Sequence, residues 1–299
     1  MALQIHGCGT ALVTPFKQDL SLDEAALRRL AQFQVNEGID FLVPCGTTGE
    51  TPTLEHEEYL RVIRIVVEEV RGGVPVVAGV GGNNTRKVAA TAQEVGRLGV
   101  QAILSVAPYY NKPTQEGLYQ HFQAIAEAST VPVILYNVPG RTSSNIEPVT
   151  VARLSKIPNI IGIKEASGSI TQQMEVVNAV DASFRVLSGD DSFTLPLMAL
   201  GGLGVISVAS NEIPGPMSRL TALLLQGKYD EARKLNARLL PLMQVNFIET
   251  SPIPVKAALA MMGLIEEVYR LPLVPLKAEN RPRLRKVLEE QGLVKVQSA

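Results

Sequence analysis

Lys164 closes an apolar run, Ile160-Ile-Gly-Ile-Lys164, so a buried strand would end there on an amine. Lysine, unlike arginine, can lose its proton. An apolar surround disfavours the ammonium and leaves some free amine to attack a ketone and form a Schiff base. A strand-end lysine can equally snorkel to water or pair with the adjacent Glu165. Tyr136 ends the preceding run, where its phenol could relay protons to a carbinolamine on Lys164 or simply pack its ring with the hydroxyl at the surface. Gly46-Thr-Thr-Gly-Glu50 gathers two hydroxyls, Thr47 and Thr48, and several backbone N–H groups into one tight turn. Such a turn suits a carboxylate, and it also suits an ordinary glycine-rich connection with threonine caps. Arg141 follows Pro139-Gly140 and offers a fork for a second carboxylate or for a surface ion pair. Asp190 and Asp191 follow a later run, at a place where barrels often hold phosphate. Two carboxylates would repel phosphate there, so a carboxylate substrate is expected instead. Cys45 precedes the glycine turn, but no histidine is placed to activate it, and it reads as packing.

All of these groups lie at the C-terminal ends of short apolar runs. Eight such runs occur, at 8–13, 40–45, 74–80, 101–107, 131–136, 159–164, 185–188 and 203–208. Each is followed by a polar or glycine-rich turn and an amphipathic stretch, the pattern of a βα unit. Helix signals include capping boxes at Ser21-Leu-Asp-Glu24 and Ser169-Ile-Thr-Gln172, a start after Thr53, a start at Asn84 or Thr85, and stops at Gly72-Gly73 and Gly99. Eight units with right-handed crossovers close into a parallel (β/α)8 TIM barrel, with an open doubly wound sheet as the alternative. The barrel is assigned to 1–226. Residues 227–299 form a C-terminal helical extension, with helices at 229–246, 253–263 and 279–291, packed on the barrel or on a neighbouring subunit. In such barrels the reactive groups sit at the C-terminal strand ends, which is where Lys164, Tyr136 and the glycine turn fall.

Composition removes several other functions. The 299 residues carry 28 Lys+Arg against 29 Asp+Glu, so no basic excess is present to meet a nucleic acid. Mean hydropathy is +0.14, yet no stretch approaches the roughly 18 apolar residues of a membrane span. Two isolated cysteines, Cys8 and Cys45, make no disulfide framework. The N-terminal stretch lacks the regions of a signal peptide, so a cytoplasmic enzyme is expected. His6, His56 and His121 have no metal-type spacing, and no metal site is expected. Gly79-Val-Gly-Gly-Asn-Asn84 breaks the dinucleotide pattern at its last glycine, and neither a Walker motif nor a G-x-S-x-G is present.

Gly46-Thr-Thr-Gly-Glu50, Pro108-Tyr-Tyr-Asn111, Tyr136-Asn-Val-Pro-Gly-Arg-Thr142 and Gly162-Ile-Lys-Glu165, in this order and spacing, resemble the dihydrodipicolinate synthase family of pyruvate-dependent class I aldolases. The likeness runs from about Gly7 to the end. It implies a lyase that condenses pyruvate with aspartate 4-semialdehyde in diaminopimelate and lysine biosynthesis, with no metal or organic cofactor. By the same resemblance Lys164 is the Schiff-base lysine, and Tyr136, Thr47 and Tyr110 are a hydroxyl relay, with Tyr110 reaching into a neighbouring subunit. Thr48 holds the pyruvate carboxylate, Arg141 receives the semialdehyde carboxylate, and Gly189 and Ile206 line the site with backbone. The family's usual assembly implies a homotetramer built as two tight dimers. Some members bind lysine as a feedback inhibitor, and His56, Asn83 and Tyr109 match that cluster. Lys87 stands where an acid is expected and Tyr59 where a second histidine is, which implies weak or absent lysine inhibition. Sister readings are N-acetylneuraminate lyase or a 2-keto-3-deoxy sugar-acid aldolase. A non-catalytic keto-acid-binding barrel is the reading from another class.

Overall fold

The computed structural model describes residues 5–296. Each apolar run overlaps one strand: β1 Gly7–Ala11, β2 Phe41–Val43, β3 Val77–Gly79, β4 Ala102–Val106, β5 Val133–Asn137, β6 Ile160–Glu165, β7 Arg185–Ser188 and β8 Gly204–Ser207. Most runs begin before their strands because apolar residues also line the entering loops, Val74 and Val131 among them, while β1 starts one residue before its run and β5 and β6 end one residue after theirs. All pairings are parallel, in the order β2-β1-β8-β7-β6-β5-β4-β3. The two ends of that row meet at a bridge between Leu42 and Val76. Hydrogen bonds from Leu42 N–H to Pro75 O and from Gly79 N–H to Pro44 O, both 2.9 Å, complete the cylinder. The sheet is therefore a (β/α)8 barrel and not an open doubly wound one.

Alternation along each strand divides the core in two. Ala11, Val43, Val77, Leu104, Ile134, Leu187 and Ile206 face inward and cluster with Phe41 and Tyr136. Phe41 fits because Gly9 opposes it in register; a Cβ there would come 2.0 Å from the ring. The outward residues Cys8, Leu42, Ile103, Leu135, Ile163 and Val205 pack under the helices against Leu27, Leu30, Ile63 and Phe122. With no tryptophan in the chain, this second layer is mostly aliphatic.

Two helix starts differ from the sequence expectation. The helix Glu24–Asn36 is capped by Asp23, which accepts from Ala26 N–H at 2.9 Å, while Ser21 bonds Asp19 instead. A carboxylate at a helix N-terminus gains from the dipole as well as the hydrogen bond, so Asp23 outcompetes the serine. The helix His56–Val70 begins with Glu55 and Glu58 in a capping box, and Thr53 donates to Glu50 O at 2.9 Å. Ser169 does cap its helix, accepting from Gln172 N–H at 3.2 Å, but the Gln172 side chain turns to Asn145. Asn84 caps Thr85–Val95 as expected, and that helix ends at Gly96, three residues before Gly99.

After the eighth barrel helix, Pro214–Leu225, come helices Tyr229–Val245, Ile253–Met261 and Arg281–Glu290. Their Leu239, Leu242, Leu259, Leu284 and Leu288 are at most 1% exposed and join the same cluster as Leu27 and Leu220. At about 2 kcal/mol per buried leucine, this packing is strongly favoured over exposure. Among the described residues no helix is long and apolar enough to cross a membrane.

Candidate active site

Register brings the candidate groups together. Tyr136 of β5 lies opposite Lys164 of β6, and Lys164 opposite Leu187 of β7, so all three share the inward phase. Lys164 Nζ stands 4.4 Å from the centroid of the Tyr136 ring. Both side chains are buried, 5% and 7% exposed, at the C-terminal end of an apolar cylinder.

The outward phase one residue on holds the strand ends. Asn137 pairs with Glu165 in register, and its amide donates to Glu165 Oε2 at 3.0 Å and to Asn145 Oδ1 at 2.9 Å. Glu165 Oε1 accepts from Ser167 N–H at 2.7 Å, and Asn137 Oδ1 from Ile146 N–H at 2.9 Å. Glu165 is thus turned away from Lys164 by the strand's own alternation, and its buried carboxylate satisfies the β5 and β6 loops. Gly189 follows β7 directly beside the lysine. A Cβ at that position would come 3.1 Å from both Cγ and Cε of Lys164 and 2.6 Å from Ala166 Cβ, so the missing side chain makes the room the lysine occupies.

Across the mouth, the turn after β2 is held by hydrogen bonds from Gly49 N–H to Gly46 O, 3.0 Å, and from Glu50 N–H to Thr47 O, 3.1 Å. Thr51 Oγ1 donates to Gly46 O at 2.9 Å and Thr14 Oγ1 to Gly49 O at 2.7 Å. Two non-glycine residues with positive φ bracket it, Cys45 at 56° and Glu50 at 52°. Left-handed backbone costs such residues about 1–2 kcal/mol each, so the surrounding contacts must enforce it.

A cavity of about 440 Å³ opens between these elements, lined by Gly46, Thr47, Tyr109, Tyr136 and Arg141 among others. Its size and mixed lining suit two small oxo acids. Lys164 does not line the cavity itself but lies beside the ring of Tyr136, which does, and Ile206 sits in the inward cluster with Tyr136. Thr48 is buried within its turn. Arg141 is exposed, and its Nη2 donates to Ser251 O at 3.2 Å. Tyr110 does not join the group: it is 88% exposed, with φ at 75°, and does not line its own chain's cavity. Cys45 lines the cavity, but burial pushes its thiol well up, and its Sγ lies 3.7 Å from Tyr59 O, in keeping with packing.

Asp190 and Asp191 have structural duties. Asp190 Oδ1 accepts from Ser192 N–H at 2.9 Å, and Asp191 Oδ2 from Val208 and Ala209 N–H at 3.1 and 2.9 Å. Asp191 ties the end of β7 to the residues after β8, while Asp190 holds only its own turn, so both carboxylates have structural partners. Of the residues that match a lysine-binding cluster by resemblance, His56 Nε2 lies 3.1 Å from Glu94, and Asn83 Nδ2 donates to Tyr109 O at 3.3 Å. Tyr59 is buried and its hydroxyl donates to Gly79 O at 2.8 Å, while Lys87 is exposed.

One group near the site went unnoticed in the sequence. Lys256, on the helix Ile253–Met261, is fully buried and forms an ion pair with Glu50. Burial pulls its ammonium below the ordinary range, and the Glu50 charge opposes that. The available signal was a single charge inside Ile253-Pro-Val-Lys-Ala-Ala-Leu-Ala-Met-Met262, a stretch otherwise without one.

Comparison with known proteins bears on this geometry. A family model, the dihydrodipicolinate synthetase family, matches residues 4–291. A 4-hydroxy-tetrahydrodipicolinate synthase from Koribacter versatilis is 58% identical over 294 residues, 98% of each chain. Among solved structures, the chloride-inhibited dihydrodipicolinate synthase of Acinetobacter baumannii, complexed with pyruvate, superposes with a TM-score of 0.96 at 42% identity, covering 97% of this chain and 100% of that one. A dihydrodipicolinate synthase variant described as monomeric superposes at 0.95 with 44% identity, covering 97% and 98%.

Proposed function

The chain belongs to the dihydrodipicolinate synthetase family, and from that premise we propose that its cavity performs the family's reaction through an imine on Lys164. The reaction is the condensation of pyruvate with L-aspartate 4-semialdehyde to 4-hydroxy-tetrahydrodipicolinate, a lyase step of lysine and diaminopimelate biosynthesis. The observation that carries the reading is the register that sets Lys164 beside Tyr136, whose ring lines a cavity together with Thr47 and Arg141.

The amine of Lys164 attacks the keto carbon of pyruvate, and the carbinolamine loses water as Tyr136 and Thr47 move protons, giving the iminium. The Thr47–Thr48 turn receives the pyruvate carboxylate. The iminium draws electrons from the methyl group, which loses a proton, and the enamine adds to the aldehyde carbon. Arg141 orients that second substrate by its carboxylate. The amino group of the adduct then closes on the former keto carbon and displaces Lys164, which regenerates the free amine. Gly189 keeps the lysine's path open, and Ile206 floors the site.

The high identity to named synthases supports this chemistry over the sister aldolases. A homotetramer of two tight dimers is the assembly we assign, with Tyr110 supplying its exposed hydroxyl to the neighbouring cavity. Residues 1–226 form the catalytic barrel and 227–299 its helical extension. A cytoplasmic location belongs to the same reading. Borohydride reduction in the presence of pyruvate tests it. A reduced adduct localised to Lys164 by peptide mass is expected, and its absence eliminates the Schiff-base mechanism.

A further inference from the structure

Glu50 ends the Gly46–Glu50 turn in left-handed backbone, φ 52°, a conformation glycine would take without strain. The glutamate there has a use: its carboxylate is 2% exposed and pairs with Lys256, itself fully buried. The second oxygen, Oε2, accepts from Arg270 N–H at 3.3 Å. Lys256 Nζ is packed against aromatic faces as well, 4.5 Å from the centroid of Phe16 and 5.2 Å from that of Tyr269. Both partners of the Glu50 carboxylate come from beyond residue 250, so the turn that bears Thr47 and Thr48 is pinned by the helical tail.

The same stretch grips the rest of the loop. Arg270 donates to Thr53 O at 2.8 Å and forms a two-pronged pair with Glu58. On the other side of the cavity, Ser251 O accepts from Arg141. Residues 251–270 therefore touch both walls of the mouth. Stability alone is a poor account of the buried pair, because an ion pair so enclosed is commonly replaceable by apolar groups without loss. A pair that fixes the position of a strained turn has a different value, since a misplacement of about 1 Å in a binding element can cost on the order of a hundredfold in rate.

We propose that Lys256 is a positioning residue for pyruvate: acting through Glu50, it holds the Thr47–Thr48 turn where the turn can bind the keto acid's carboxylate. The proposal rests on the carboxylate-binding reading of that turn. The helical tail is then a working part of the active site, acting through the turn it holds.

The test replaces both charges at once, Glu50→Gln with Lys256→Met, so that no unpaired charge is buried. In the coupled assay the KM for pyruvate is expected to rise roughly tenfold or more, while the KM for the semialdehyde, which rests on Arg141, stays within about twofold of wild type. An unchanged pyruvate KM, or an equal rise in both constants, overturns the proposal. Borohydride trapping of the wild-type enzyme is run alongside. Without a wild-type adduct the parent reading fails. With one, but with the same pyruvate dependence of trapping in the double variant, only this inference fails. Should the double variant not fold, hydrogen exchange on the wild-type protein decides. Peptides covering 46–50 and 253–260 are expected to gain protection together when pyruvate is added. Protection of the first without the second refutes the link.

Discussion

Gly189→Ala is the smallest change that touches the side chain of Lys164, the proposed Schiff-base residue. The added Cβ would come 3.1 Å from Cγ and Cε of Lys164 and 2.6 Å from Ala166 Cβ, against about 3.5–4.0 Å for an unstrained carbon contact. Relief therefore requires the lysine stem to move by several tenths of an ångström and Ala166 by about 1 Å. Both belong to the end of β6, which is hydrogen-bonded to β5 and β7 and clamped by Glu165 and Asn137, so the strain cannot dissipate into a free loop. Overpacking of this kind costs about 1–3 kcal/mol of stability. Displacing Nζ from the Tyr136 side should slow imine formation by about 10- to 100-fold. The assay is the rate of borohydride-trapped adduct formation at saturating pyruvate, with thermal unfolding followed in parallel. Gly140→Ala, where a Cβ meets nothing within 4 Å, is the control and should leave both measurements unchanged. Wild-type trapping in Gly189→Ala, or a lowered melting temperature with no change in trapping rate, would refute the reasoning.

Three further outcomes follow from the structure. His121 is buried, with Nε2 unpartnered and Nδ1 2.8 Å from Thr85 Oγ1, and burial pushes its imidazole down from 6.5 to about 4. The folded state thus binds its proton less readily than the unfolded state. Stability is full above pH 6.5 and falls as pH drops toward 4, by about 3 kcal/mol at most; His121→Gln should flatten that limb of the unfolding curve. Asn137→Ala strips the buried Glu165 carboxylate of a hydrogen bond and leaves Ile146 N–H without its acceptor, so denaturant unfolding should show a loss of about 3 kcal/mol. Lysine should inhibit weakly or not at all, since the resemblance places Lys87 where an acid would meet the effector's ammonium, and the Tyr59 hydroxyl is committed to Gly79 O; a micromolar inhibition constant in the steady-state assay would contradict this.

Much of the molecule was legible before any coordinates. Strands buried on both faces must be continuous apolar runs, so eight runs marked eight strands, and reactive residues at their C-terminal ends marked one face of the barrel. Lys164, Tyr136, Thr47 and Arg141 stood out because each is a polar group ending or following such a run. Helix starts were less legible. Ser21 and Asp23 both present a capping oxygen within one turn, and only the folded backbone decides between them. Asp190 and Asp191 show a related limit: a carboxylate near a site looks the same in sequence whether it faces a ligand or accepts from backbone N–H groups.

Composition and hydrophobic periodicity, then, determined the barrel class and the order of its strands along the chain, and marked polar strand-end residues as candidates, because these depend on local alternation and side-chain chemistry. Tertiary structure alone decided which of those residues meet. The inward pairing of Tyr136 with Lys164 depends on the β5–β6 register, and the space beside the lysine depends on Gly189 of the next strand end. The buried pair between Glu50 and Lys256 spans 206 residues. No local pattern encodes such a contact; it exists because the tail folds back over the turn after β2 and buries two opposite charges against each other.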